Sequence, residues 1–368
     1  MAATNLVGKT LDEMAELLAG LGEPRFRAAQ LYAGIYRRGL RDWALFTDLA
    51  KPLRSRLMEC CTVEYPKTCA VFESSDGTRR HLLEVGRGER IESVFIPEPA
   101  RDTVCISTQV GCAVGCLFCV TGRLRMRRNL TAGEIVGQIL CLRLERSRAL
   151  KRLNVVIMGM GEPLHNFDNI MKALRLMTDP QGMGLSPRLV TLSTAGIVPQ
   201  LELLAREPVI PSLAVSLSAT TDAVRDLLIP VNRQWNIAAL LDACRRFPLE
   251  RRRRITFEYV LIGGVNDSPE DARRLVGLLR GLQKKVNLIP LNADPWVPLT
   301  PPPEERVLEF QKILTDRHVT AYIRRPRGGD VSAACGMLAG RDYAQGDPVR
   351  LPPKPAAAGA LEKLRRKG

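Results

Sequence analysis

Four of the ten cysteines lie within fifteen residues, in CISTQVGCAVGCLFC at 105–119. The last three, Cys112, Cys116 and Cys119, are spaced C-x3-C-x2-C. Cysteines set this closely in a chain without secretory features point to a metal or to catalysis. A structural zinc would need a fourth ligand, usually from a second paired motif. The three histidines, His81, His165 and His318, are scattered and unpaired. An iron–sulfur cubane is normally held by four thiolates, so three of them leave one iron open. An open coordination position is where a substrate or cofactor attaches. A second candidate stretch is VIMGMGEPL at 156–164. Gly159 and Gly161 begin a dinucleotide-type G-x-G-x-x-G, but position 164 is Leu and the pattern fails. What remains is a glycine that lets backbone approach a ligand and a carboxylate, Glu162, that can accept from an ammonium group. Cys141 and Cys244 sit on apolar helix faces and read as core, and Cys60, Cys61 and Cys69 are read the same way. Met158 and Met160 read as packing residues.

Such side chains need a scaffold that gathers distant stretches. Residues 10–60 read as helices: LDEMAELLAGL and FRAAQLYAGIY place apolar residues at helical spacing, with Thr10 as N-cap. Residues 62–97 change character, with strand-like HLLEV and IESVFI around the turn signals SSDG and GRG. Beyond them short β-rich runs alternate with longer amphipathic stretches. The runs are 104–108, 154–158, 189–193, 213–217, 255–262, 286–291 and 319–323. Helical patterns lie between, as in TAGEIVGQILCLRLERS and in SPEDARRLVGLLRGL, where Ser268 or Pro269 opens the helix. Repeated β-then-α units predict an α/β fold with a parallel sheet, long enough here to curl into a barrel or partial barrel. Functional residues gather at the strand ends of such folds, and the cysteine cluster follows the first strand of the series. The expected division is a small helical and α+β accessory domain at 1–97, a barrel domain at 98–342, and a flexible basic tail at 343–368.

The 368 residues, 45% hydrophobic and 25% charged, have a globular composition with room for a sizeable core. No apolar run is long enough to cross a bilayer, and MAATNLVGKTLDEM lacks the apolar stretch of a secretory leader. The expectation is a cytoplasmic protein with reduced thiols. Lys and Arg outnumber Asp and Glu by 54 to 39, a net charge of +15. That excess points to a polyanionic partner, nucleic acid ahead of membrane. Basic residues cluster in RLRMRR at 123–128, RRFPLERRRR at 245–254 and RRPR at 324–327; the alternative is that these are solvated faces.

C-x3-C-x2-C with an aromatic residue, Phe118, before the last cysteine resembles the signature of the radical S-adenosylmethionine (SAM) enzymes. The resemblance implies a partial (βα)6 barrel and a [4Fe-4S] cluster on Cys112, Cys116 and Cys119. The open iron would chelate SAM, whose one-electron cleavage yields a 5′-deoxyadenosyl radical. The match narrows to the adenine-carbon-2 RNA methyltransferases that act on ribosomal and transfer RNA, over about residues 10 to 342. It is carried by FRAAQLYAGIY, IESVFIPE, RNLTAGEI, GMGEPLHNFDN, VTLSTAG, AVSLSATTDAVRDLLIPVNR, EYVLIGGVND, VNLIPLN and GGDVSAACGMLAG, besides the cysteine stretch. By motif it implies SAM contacts from Gly161, Glu162, Ser193, Ser216, Leu217, Ser218 and Asn292. The family usually has Gly and then an aromatic where this chain has Arg125 and Met126, and some members carry His or Asn at Ser218. Those departures leave the local RNA grip and one SAM contact open.

The resemblance also accounts for radical chemistry on RNA. Carbon 2 of adenine lies between two ring nitrogens and has no lone pair with which to attack the methyl group of SAM. In the implied mechanism Cys335 takes a methyl from one SAM by displacement. A radical from a second SAM abstracts a hydrogen from that S-methyl group, and the resulting methylene radical adds to the adenine. Glu92 would remove the ring proton. Cys105 would attack the Cys335 sulfur, form a disulfide and release the methylated base. The implied substrates are a ribosomal RNA of the large subunit and a transfer RNA, modified next to the anticodon. A flavodoxin- or ferredoxin-like electron donor and a monomeric enzyme away from membranes complete the expectation. Two rivals remain. Carbon-8 methylation by related antibiotic-resistance enzymes uses the same cluster and cysteine pair, but the long helical N-terminal region and SATTDAVRDLLIPVNR favour carbon 2. A non-catalytic RNA-binding module with a structural metal site would want four protein ligands.

Overall fold

A computed structural model of the chain describes residues 3–144, 152–250, 252–297 and 299–339. The helical start forms where its capping signals lie. α1 (Leu11–Gly20) opens on Thr10, whose side chain accepts from the Glu13 N–H while Glu13 accepts from the Thr10 N–H at 2.7 Å. This reciprocal pair satisfies two otherwise orphaned donors. α2 (Arg25–Tyr36) and α3 (Lys51–Cys60) follow, and Met14, Leu18, Leu31, Ile35 and Leu57 are buried among them.

Ten strands form one sheet. They are β1 (Lys67–Glu73), β2 (Arg79–Val85), β3 (Glu89–Pro97), β4 (Asp102–Cys105) and β5 (Leu153–Ile157), then β6 (Val190–Thr194), β7 (Ser212–Ser216), β8 (Ile255–Leu261), β9 (Lys284–Pro290) and β10 (Ala321–Ile323). Each is hydrogen-bonded to the next in chain order, leaving β1 and β10 as the two edges. β1 to β4 are antiparallel and β4 to β10 parallel. Parallel neighbours need crossovers. Helices supply them: α4 (Ala132–Leu144), α5 (Phe167–Thr178), α6 (Val198–Leu204), the pair α7 (Asp222–Leu228) and α8 (Ile237–Arg246), α9 (Pro269–Leu278) and α10 (Glu304–Thr315). This is the partial (βα)6 barrel that the resemblance implied, and the alternating pattern had pointed to a barrel or partial barrel. α9 starts as expected, with Ser268 as N-cap, Pro269 in the first turn and a capping box to Asp271.

The sequence-based strand runs match the observed ones to within three residues at either end. β1 has no counterpart among them, because KTCAVFE leaves every residue at least partly exposed and so has no buried face to announce it. Cys69 lies on the solvent side of that strand and Cys60 ends α3 in the open, so neither is core; Cys61, Cys141 and Cys244 are buried. The expected tail at 343–368 lies outside the described residues, among which no helix is long and apolar enough to cross a membrane.

The register carries one face of the sheet around the lumen. Val94 is opposite Cys105, Cys105 opposite Val156, and Val156 opposite Thr191. Farther round, Ser216 is opposite Glu258, Glu258 opposite Asn287, and Asn287 opposite Tyr322. On β5 and β6 the alternate residues Leu153, Val155, Ile157, Val190 and Leu192 are buried, while Asn154, Val156, Thr191 and Ser193 remain partly exposed. The apolar face is therefore sealed beneath the helices and the more polar face lines an accessible interior. Residues 123–128 and 324–327 follow strand C-terminal ends. Residues 245–250 and 252–254 lead into β8 and so lie at the opposite rim.

Candidate active site at the strand ends

Beyond β4 the chain enters the cysteine loop, fastened by Leu117 N–H to Leu228 O (3.0 Å) and Val120 N–H to Gly336 O (2.7 Å). Gly122 allows the loop to fold back on itself, since a Cβ there would meet the Cys116 N and O atoms at 2.8 Å. Cys112, Cys116 and Cys119 line one cavity with about 980 Å³ of atom-free space, part of it open to solvent. Burial pushes all three thiols up, Cys112 to about 12, with mutual repulsion adding for Cys116. Protons stay on such sulfurs until a cation takes their place. Among the described residues no three His, Cys, Asp or Glu side chains are grouped to hold one metal ion, as a mononuclear zinc would require. Thiolates that each hold a different iron of a cluster need no common point, and the donor set fits that use.

The VIMGMGEPL turn forms the next wall. Gly161 has φ +104°, and a Cβ would strike Gln109 Cβ at 2.6 Å and Thr108 Oγ1 at 2.7 Å. The turn is thus pressed against the cysteine loop in a backbone shape that favours glycine. Glu162 Oε1 accepts from Leu164 N–H (3.0 Å) and Thr194 Oγ1 (2.8 Å), and Oε2 accepts from Ala195 N–H (2.7 Å). Burial raises its carboxyl pKa and these bonds pull it back. A carboxylate has about four acceptor positions, so Glu162 joins the ends of β5 and β6 and keeps one for a ligand.

Gly161, Glu162, Ser193, Ser216 and Asn292 all line the cavity, as does Met158, which the sequence suggested as packing. Leu217 and Ser218 are fully buried and do not line it. Leu217 N–H donates to Glu258 O at 2.9 Å, and Ser218 Oγ accepts from Val260 N–H at 3.2 Å. Ser218 has φ +48°. Asn and His tolerate that left-handed region better than most residues.

Cys335 lines the same cavity, and Asn292 Nδ2 donates to its carbonyl at 3.0 Å. The residue is exposed overall, yet burial raises its thiol, followed by the charge of Glu258. Cys105, at the end of β4, is pushed up to about 12 by burial and then by the neighbouring Cys335. The fold therefore brings the two distant thiols into electrostatic range, and both are free. Glu92 is elsewhere. It is 0% exposed, paired through Oε1 with Arg80 Nη1, while Oε2 accepts from Ala339 N–H at 2.9 Å.

Sequence reasoning missed Arg225 and Glu258. Arg225, fully buried, donates Nε to Leu217 O (3.1 Å), Nη1 to Asn232 Oδ1 (2.9 Å), and Nη2 to Ala195 O (2.7 Å) and Ser216 O (2.9 Å). Burial lowers its guanidinium to about 10, opposed by the nearby Cys116. It staples the ends of β6 and β7 beneath the cysteine loop. Glu258 lines the cavity and accepts from Asn287 Nδ2 at 2.9 Å; burial raises its carboxyl. The available signal was a carboxylate inside the otherwise buried strand ITFEYVL.

Comparison with known proteins agrees with this geometry. Residues 106–276 match the Radical SAM superfamily, and residues 4–63 match the Ribosomal RNA large subunit methyltransferase N-terminal domain. A Geobacter sulfurreducens protein named dual-specificity RNA methyltransferase RlmN is 47% identical over 337 residues, 92% of each chain. One of the same name from Syntrophotalea carbinolica is 50% identical over 333 residues, 90% of this chain and 88% of that one. The crystal structure of a radical SAM methyltransferase from Sphaerobacter thermophilus, 44% identical, superposes with a TM-score of 0.87 over 92% of this chain and 100% of the other.

Proposed function

Since the chain belongs to the RlmN family of dual-specificity RNA methyltransferases within the radical SAM superfamily, we propose that it methylates carbon 2 of an adenosine in large-subunit ribosomal RNA and of one beside the anticodon in transfer RNA. The observation that carries this reading is the sharing of one cavity by Cys112, Cys116, Cys119 and Cys335, with Cys105 close behind. In it, Cys112, Cys116 and Cys119 hold a [4Fe-4S] cluster, and Gly161, Glu162, Ser193, Ser216 and Asn292 hold SAM. Leu217 and Ser218 shape the wall behind. When bound, these groups supply a methyl group, an electron and a carbon-centred radical, which a ring carbon without a lone pair requires.

The chain's own residues do the rest. Cys335 gives up its proton, takes the methyl group, and then carries the carbon that bonds to adenine. Once the adduct has given up its unpaired electron to the electron carrier and its ring proton to solvent, Cys105 loses its proton and attacks the Cys335 sulfur. The disulfide forms as the bond from that sulfur to the RNA-bound carbon breaks, and that carbon takes up a proton to become the methyl group. Two SAM molecules are used per turnover. Residues 1–97 serve as an accessory unit for RNA. Arg125, Arg127, Arg324, Arg325 and Arg327 are exposed near the strand ends and suit phosphate binding. At the opposite rim Arg246 pairs with Glu202, and Arg253 donates to Ile210 O. A flavodoxin- or ferredoxin-like donor supplies electrons in the cytoplasm.

The test is anaerobic incubation of reconstituted enzyme with SAM, reductant and a ribosomal RNA fragment or transfer RNA, followed by nucleoside mass spectrometry. 2-Methyladenosine is the expected product. 8-Methyladenosine would transfer the protein to the rival activity, and an unmodified RNA would remove both.

A further inference from the structure

On the last strands of the sheet the inner face ends in an aromatic ring. Tyr322 on β10 is opposite Asn287 on β9, Asn287 donates to Glu258 at 2.9 Å, and Glu258 lines the cavity. Neighbouring strands lie about 4.8 Å apart, so Tyr322 stands roughly 10 Å from Glu258 across that face. β10 is an edge of the sheet, where the open side of the barrel begins. Tyr322 stays 50% exposed there, because segment 328–339 leaves β10 and crosses to the inner face of β2 and β3. At that far side Arg80 Nε donates to Val331 O (2.6 Å) and Ala339 N–H donates to Glu92. Among the described residues Phe26 and Tyr322 are the large aromatic side chains left half exposed or more. Arg27 lies over the Phe26 ring at 4.7 Å, whereas no hydrogen bond or ring contact with a described residue engages the Tyr322 side chain.

Cations border the ring. Lys285 shares the inner face of β9 two residues before Asn287. Burial lowers its ammonium pKa, and the charges of Arg254, Arg324 and Arg101 add to that effect against Glu258. Arg324, two residues beyond Tyr322, continues the same face, its N–H donating to Leu288 O at 2.8 Å. Its charge also reaches Cys335, where it opposes the rise that burial and Glu258 cause. A single exposed tyrosine needs no explanation. One on the inner face of a barrel, flanked by cations and adjoining the reactive thiol, has the two parts that hold unpaired nucleic acid: a stacking surface and positive charge for the backbone.

We propose that Tyr322 is a stacking platform for the RNA base next to the target adenosine, with Arg324 and Lys285 holding the phosphates beside it. Chemistry on carbon 2 requires the adenine to leave its stack so that Cys335 can reach it. The neighbouring base thereby loses one stacking partner, and unstacked bases are what aromatic side chains recognise in RNA. Tyr322 supplies the missing face at a distance from Glu258 that an extended nucleotide step can bridge. It is a positioning residue, acting through the neighbour and not on the reacting ring. The inference rests on the proposed function for the identity of the target.

The test compares Tyr322→Ala, Tyr322→Phe and Tyr322→Trp with the parent protein, each with its cluster reconstituted, on a transfer RNA anticodon stem–loop. The RNA is used unaltered, with 2-aminopurine, and with an abasic residue, each substitution placed in turn 5′ and 3′ of the adenosine. Binding constants, 2-aminopurine emission and the kcat and KM of methylation are read. Tyr322 is exposed, and its replacement should leave folding intact. Tyr322→Ala should weaken binding and raise KM by about tenfold, the scale of one lost base–aromatic stack. Its kcat, iron content and salt slope should match the parent, and Phe and Trp should restore the affinity. The parent should quench 2-aminopurine at one of the two positions, and an abasic residue there should erase the difference between parent and Tyr322→Ala. The platform is overturned if Tyr322→Ala binds like the parent, if Tyr322→Phe is as weak as Tyr322→Ala, or if both abasic RNAs show the full loss. A parent that self-associates, with Tyr322→Ala monomeric and RNA affinity unchanged, would assign the edge to a second copy and overturn it equally. RNA held with these signatures yet left unmethylated would remove the proposed function and keep the platform.

Discussion

Replacing Arg225 by Met should damage stability and cofactor binding together. Its guanidinium makes four hydrogen bonds of 2.7–3.1 Å to Leu217 O, Asn232 Oδ1, Ala195 O and Ser216 O, all in the interior. At roughly 1.5–3 kcal/mol for each bond to a charged group, a simple sum reaches about 6–12 kcal/mol. Bonds that share a donor do not add, and removal of the charge relieves its desolvation. About 3–5 kcal/mol, the usual cost of breaking a buried charged network, is the expected loss. Out of a typical total near 5–15 kcal/mol, that leaves a folded but weakened protein. The freed carbonyls belong to the strand ends carrying Ser193 and Ser216, so SAM affinity should fall as well. Arg225→Lys keeps the charge beneath Cys116 but cannot span four acceptors, and should lie between the two. Urea unfolding followed by tryptophan fluorescence gives the first quantity and equilibrium binding of SAM to the reconstituted protein gives the second. An Arg225→Met protein with the parent midpoint and parent SAM affinity would refute the reasoning.

Other expectations follow from the same geometry. Anaerobic reconstitution should give about four iron and four sulfide per chain; Cys112→Ala, Cys116→Ala and Cys119→Ala should each lose the cluster and SAM cleavage, and retention of both by any one would undo the ligand assignment. Gly161→Ala should abolish SAM binding while leaving the fold, because its Cβ has no space against Thr108 and Gln109; unchanged affinity would show that the turn is looser than described. RNA affinity should fall steeply with salt, and removing Arg324 and Arg325 should flatten the log–log slope by roughly 0.7 to 0.9 for each phosphate no longer neutralised, whereas removing Arg245 and Arg246 should not. Burial alone would raise the Asp76 carboxyl, but hydrogen bonds from Thr78, Gly328 and Ser74 outweigh it and hold it at about 2. A depressed carboxyl stabilises above its ordinary value and loses that contribution as pH falls through the lowered one. Exchange at Gly328, corrected for intrinsic rate, should therefore rise between about pH 4 and pH 2, and an equal rise in Asp76→Asn would discount the bond.

The sequence revealed those features that depend on local pattern. Thr10 with Glu13, and Ser268 with Asp271, announce helix starts because caps are short-range chemistry. Buried parallel strands such as ITFEYVL stand out as apolar runs. The three clustered cysteines were legible because their ligand spacing is local. β1 was hidden because an edge strand with both faces partly wet carries no contrast. Arg225 and Glu258 were hidden for a different reason: each is defined by partners on other elements. For Glu92 the sequence could supply a strand and a carboxylate, but not Arg80, which faces it only after the hairpin forms.

The crossing of segment 328–339 to the inner face of β2 and β3 has a consequence for the order of events during synthesis. Cys105 and the Arg80–Glu92 pair leave the ribosome long before Cys335 does. At roughly 5–20 residues per second, that interval lasts on the order of 10–50 s. Throughout it the inner face that the segment later covers has no cover from it. Segment 328–339 then lies against that face and carries Cys335 with it. The reactive sulfur pair is thereby assembled at the end of folding, when the barrel that must control it already exists. A chain cut short before residue 328 would keep its sheet but leave that face open, a ready target for proteases and oxidants.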